Sequence, residues 1–113
     1  MIDDYSFGHI SVNGTEYTSD IIIFPDGRIK DSWWRKSGHR LCIEDIEELI
    51  NTKPQIIIAG TGNPGLMKPD QELKKELAYR RIEFEALSSK EAVTLYNKLS
   101  NEMMVGACFH LTC

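Results

Sequence analysis

PQIIIAGTGNPGLMKP, residues 54–69, dictates the architecture of this chain. Ile56, Ile57 and Ile58 form a short β-branched run that stops at the glycines Gly60, Gly62 and Gly65. A run of that length, ended by glycine, predicts a strand buried on both faces. Such a strand needs cover above and below, and the segments after it read as helices. The loop that leaves its carboxyl end stands where open α/β sheets place their ligand crevices.

Downstream of this strand the pattern alternates. Pro69 predicts the first position of a helix, followed by acidic Asp70 and Glu72 and by late Lys74, Lys75, Arg80 and Arg81, which suits the helix dipole. Ile82 to Ala86 alternates apolar and acidic residues and predicts a strand with one wet face. Ser88 and Glu91 form a capping box before a helix to about Ser100. Met103 to Leu111 predicts a last buried strand, whose Gly106 and Ala107 suggest close approach by a helix. Upstream, Ile43, Ile46, Leu49 and Ile50 recur at helical spacing, with Cys42 at the N-cap.

The first third is antiparallel in character. Phe7, Ile10 and Val12 sit in a β-rich segment. Asn13-Gly14 after it signals a hairpin, because both residues tolerate positive φ. Thr15 to Thr18 is the return strand. Ile21 to Phe24 is a further apolar run, turned by Pro25-Asp26-Gly27, with Ile29 to Trp34 returning. The fold class is therefore α/β: a three-layer domain with a central mixed sheet, helices on both faces, and an N-terminal antiparallel hairpin region.

The 113 residues suit one domain, 1–113. With 17 acidic residues against 13 Lys and Arg, the formal charge of −4 gives no field toward nucleic acid or an anionic membrane. No apolar run approaches the ~20 residues of a membrane helix. The start shows no secretion signal, and three cysteines argue against a disulfide framework, so the expected location is cytoplasmic.

Gly60-Thr61-Gly62-Asn63-Pro64-Gly65 satisfies G-x-G-x-x-G and has Glu85 at the next strand end, imitating a dinucleotide fingerprint. Pro64 and the late helix start speak against it, so no cofactor is expected. What remains is a candidate crevice formed by Gly60, Thr61, Gly62, Asn63, Trp33, Arg35, Lys36 and His39. Its backbone N–H groups could hold a small anion. His39-x-x-Cys42 and His110-x-x-Cys113 have the makings of a zinc tetrad, but chance spacing is the better account, and no metal is expected. Cys42, at a helix start, reads as a cap substitute ahead of a reactive thiol. Of the adjacent pair Trp33 and Trp34, at most one joins the core, and the other suits an interface.

Taken as an ordered group, these residues resemble a known family. Trp33, His39, Leu41, Glu44-Asp45-Ile46, Ile57 to Gly62, and Ala92 with Tyr96 to Leu99 carry the likeness, which runs from about Phe7 to His110. The family comprises small domains that include the adipogenesis-associated Mth-domain-containing protein and the mitochondrial complex I assembly factor three. Cys42, in place of serine, and Glu102-Met103-Met104 depart from its pattern. The resemblance implies a three-layer fold and, in some members, an assembly or adaptor role and no defined reaction. The expected function is a non-catalytic binding module, with a protein partner or self-association into an oligomer. The alternative is a small enzyme or binder of an anionic metabolite. No nucleophile–base–orienter set is visible, which leans against an enzyme.

Overall fold

The computed structural model describes residues 1–113. Five strands form the central mixed sheet: β4 (Ile21–Ile23), β5 (Ile29–Lys30), β7 (Ile56–Gly60), β9 (Glu83–Leu87) and β10 (Val105–Phe109), in the order β5-β4-β10-β7-β9. Parallel ladders join β10 to β7 and β7 to β9, and antiparallel ladders join β10 to β4 and β4 to β5. A second, antiparallel sheet holds β1 (Ile2–Ser6), β2 (His9–Val12) and β3 (Thr15–Tyr17). The shortest pair, β6 (Arg40–Leu41) and β8 (Lys68–Pro69), runs parallel.

The isoleucine run behaves as its composition requires. All five residues of β7 are buried. Ile57 and Ala59 face one core cluster, with Leu49 and Ile50 of α1 (Glu47–Asn51) and Leu73 and Leu77 of α2 (Gln71–Tyr79). Ile56 and Ile58 face the other, with Ala92 and Tyr96 of α3 (Ser89–Leu99) and with Ile2, Ile10 and Val12 of the small sheet. Period-two alternation thus splits one apolar run between two layers. Gly106 permits the close approach its sequence suggests: a Cβ there would lie 2.6 Å from Leu49 Cδ1.

Several boundaries differ from the sequence reading, each for a physical reason. Pro69 does not open the helix. It lies in β8, Asp70 takes the N-cap, and the Asp70 N–H donates to Leu41 O at 2.9 Å, a partner distant in sequence. The helix after Cys42 starts as a 3-10 turn, Ile43–Ile46, before α1 begins. Cys42 caps it with Asp45 as the reciprocal partner. The strand expected over Ile29 to Trp34 stops at Lys30, and Ser32 has a positive φ of 50°. The last two strands are each narrower or shifted by one or two residues. Phe7, expected within a strand, tops the β1–β2 turn and is 60% exposed. Asn13 and Gly14 do turn the β2–β3 hairpin, with φ of 48° and 83°.

Candidate functional site

The end of the sheet where β7 and β10 finish gathers most of the candidate residues. Its centre is Asp20, which no sequence motif singles out. The Asp20 carboxylate accepts from Arg35 Nη1, from His110 Nδ1 and from the Leu111 N–H, each at 2.8 Å. The Arg35 side chain is only 6% exposed, so this ion pair is nearly dry. Arg35 also donates to Gly38 O and stacks its guanidinium 4.8 Å from the Trp33 ring centre. Trp33 is buried, and its indole N–H donates to Asp45 O at 2.9 Å.

This network orients the His110 ring. Nδ1 lies between Asp20 Oδ2 at 2.8 Å and Arg35 Nη2 at 3.0 Å. A carboxylate can only accept and a guanidinium can only donate. Because the ionised Asp20 carboxylate cannot donate, the 2.8 Å contact needs the proton on Nδ1, and the Nη2 contact at 3.0 Å is then close approach without a hydrogen bond. The other ring nitrogen, Nε2, is buried without a partner. Burial alone would raise the Asp20 carboxyl, but donation from His110, the Leu111 amide and Arg35 outweighs it and holds the group below the usual carboxylate value. This is a buried histidine oriented by a carboxylate, with no nucleophile bonded to its free nitrogen.

The glycine turn lies on the other side of the same stretch. His110 N–H donates to Gly60 O at 2.9 Å, and Asn63 N–H to Thr112 O at 2.9 Å. Thr61 N–H donates to Leu87 O, and Gly62 N–H to Ser89 Oγ at 3.0 Å. The amides of Thr61, Gly62 and Asn63 are therefore occupied within the chain. Ser89 is the residue this turn depends on: fully buried, it also donates to His110 O at 2.5 Å. The sequence hides it behind Ser88, which caps the helix as read by accepting the Glu91 N–H at 3.4 Å. The Glu91 carboxylate takes the Ser88 hydroxyl at 2.9 Å instead of reaching back to the Ser88 N–H, so only the serine half of the capping box forms.

Lys36 sits apart from this cluster, and His39 borders it on the exposed side. The Lys36 side chain is solvent-exposed, 3.9 Å from Glu44. His39 is exposed; its ring meets His110 edge-on at 6.1 Å, and its Nε2 lies 3.9 Å from Cys113 Sγ. Cys42 does not join them. Its thiol donates to Asp45 Oδ2 at 3.1 Å. No group of three metal-ligating side chains converges. Partial burial and the Asp45 carboxylate push the Cys42 thiol up to about 11. Alkylation of Cys42 is therefore expected to run about a hundredfold slower at pH 8 than for a free cysteine, and to accelerate as pH rises toward 11. Mass-spectrometric labelling rates across pH check this.

A cavity of about 340 Å³ opens beside the cluster, lined among others by Asp20, Ser32, Trp34, Arg35, His110 and Thr112. Trp34 forms its outer wall and is 85% exposed. The architecture and this end of the sheet define a small three-layer α/β domain with a mixed sheet. The chain belongs to the family described as protein of unknown function (DUF498/DUF598), which matches residues 2–110. It is similar to a solved structure named MT938, with 32% identity, a TM-score of 0.83 and coverage of 100% of this chain and 98% of the other. It is also similar to a conserved hypothetical protein, PH1505, from Pyrococcus horikoshii OT3, with 28% identity, a TM-score of 0.87 and coverage of 100% and 99%. A Mth938-like domain of Bordetella pertussis, solved by NMR in solution, shares the fold at 17% identity, with a TM-score of 0.75 and coverage of 97% and 84%. The chain is thus one of the small Mth938-like domains that its sequence resembles.

Proposed function

We propose that the chain is a binding module that grips a partner protein at the end of the sheet marked by Trp34. One observation carries this reading: Trp34 is 85% exposed on a segment that is otherwise locked in place. The neighbouring Trp33 N–H donates to Asp20 O, and Arg35, the residue after Trp34, is held in the buried cluster by its ion pair with Asp20. A rigid, exposed tryptophan loses little freedom on binding, which makes it an effective anchor. Two more exposed apolar side chains border the same end. Phe7 adjoins Gly8, whose N–H donates to Leu111 O, and the Leu66 N–H donates to Cys113 O. All three cysteines are free thiols, which supports a reducing compartment.

The anionic-metabolite reading has less support, because the turn amides it relied on already have acceptors. The Trp34→Ala variant is expected to keep its fold and to lose at least ~2 kcal/mol of partner affinity, about 30-fold. The measurement is affinity capture from the source cell lysate, followed by titration of the captured protein. Equal capture by both forms would remove Trp34 from the interface. No helix is long and apolar enough to cross a membrane.

A further inference from the structure

We propose that the outer edge of β9 accepts an extended segment of a partner protein in which basic and apolar side chains alternate. β9 ends the strand order of the central sheet, and β7 occupies its other side. Two flanking bonds fix which of its residues face β7: Glu83 N–H donates to Gln55 O at 3.0 Å, and Thr61 N–H donates to Leu87 O at 2.8 Å. With the parallel register running from Ile56 opposite Glu83 to Gly60 opposite Leu87, residues 83, 85 and 87 serve that ladder. The main-chain donor and acceptor of Phe84 and of Ala86 point outward, ready to pair with an added strand.

The two faces of this edge differ in chemistry. Toward α2 lies an apolar groove of about 440 Å³, lined by Lys74, Leu77, Ala78, Ile82, Phe84 and Ala86. On the opposite face Glu83 and Glu85 are exposed, and neither is ion-paired. An added strand presents alternate side chains to these two faces. Its apolar row fits the groove and its basic row meets the glutamates. A second copy of β9, paired antiparallel, would set glutamate beside glutamate, which is unfavourable. The charge pattern therefore rejects self-pairing and selects a basic strand. This surface is separate from Trp34, which follows β5 at the other edge of the sheet. Two opposed surfaces would let one small domain bridge two partners.

The probe is a blocked six-residue peptide alternating lysine and valine, titrated into the full ¹⁵N-labelled chain. Its counterpart alternates glutamate and valine. The expected result is amide shifts concentrated at Phe84 and Ala86, with at least tenfold tighter binding of the lysine peptide. Glu83→Lys combined with Glu85→Lys inverts that preference, and Trp34→Ala leaves it unchanged. The same preference in the unsubstituted chain weakens as salt is raised, so the test stands even if the charge-reversed form folds poorly. Equal binding of both peptides, or shifts mapping away from β9, would overturn the proposal. Concentration-dependent broadening of Phe84 and Ala86 without peptide would also overturn it, giving the edge to a second copy.

Discussion

Asp20→Ala is expected to lower stability by about 3–5 kcal/mol at pH 7, because it leaves a buried arginine without its counter-charge. Asp20 is joined to two parts of the chain that lie far from it in sequence, one at Arg35 and one at the consecutive pair His110 and Leu111. His110 is 90 residues from it, Leu111 is 91 and Arg35 is 15. Removing the carboxylate strands the guanidinium, the His110 Nδ1–H and the Leu111 amide together. A small domain commonly has ~5–15 kcal/mol in total, so the loss is a large fraction of it. Urea unfolding of both forms measures it.

The pH dependence gives the sign of the effect. The Asp20 carboxyl is held below its usual value in the folded chain, against the opposing pull of burial. A group with a depressed folded value contributes fully above the unfolded value, about 3.9, and its contribution fades as pH falls below that. The gap between wild type and Asp20→Ala should therefore be widest near neutrality and shrink toward pH 2–3. A gap of constant size across that range would place the stabilisation in packing and not in the carboxylate.

What is readable in the sequence follows from how local each signal is. The buried strand β7, the Asn13-Gly14 hairpin and the Ser88 N-cap are written in adjacent residues. Strand β1 escapes a sequence reading because Asp3, Asp4 and Ser6 leave it only Ile2 and Tyr5 as apolar contacts. The β6–β8 pair has no local signature at all: two residues on each side find each other only after the sheet has formed. The tryptophan pair divides between core and solvent as alternation suggests, yet the segment is not a strand. Trp33 is buried through its bond to Asp45 and its stacking under Arg35, which are tertiary effects. Asp20 stands just before one apolar run and His110 in the last part of another, and the antiparallel pairing of β4 with β10 brings the start of the first strand and the end of the second to one pole. Nothing in a linear reading pairs them. The glycine motif is visible, but its purpose is not, because a glycine selected for close packing looks the same as one selected for a ligand.

That difference can be measured at Gly60. Its Cβ position would lie 2.6 Å from Phe109 Cδ1 and 2.8 Å from Ser89 Oγ, both on fully buried residues. Gly60→Ala must displace the Phe109 ring or the hydroxyl that holds Gly62 and His110, and is expected to cost about 1–3 kcal/mol as overpacking. Phe109→Ala alone opens a cavity in the layer shared by α3 and the small sheet and is expected to cost about 3–5 kcal/mol. If Gly60 is glycine because the ring occupies the space, the two changes are not independent. The added methyl then enters volume the ring has left, and the double variant should lose at least ~1 kcal/mol less than the sum of the singles. A ligand-binding role for Gly60 predicts the opposite pattern: additive stabilities, with the cost of Gly60→Ala appearing only in binding. Denaturant midpoints of the four proteins in this cycle separate the two accounts, and the 2.6 Å approach favours packing.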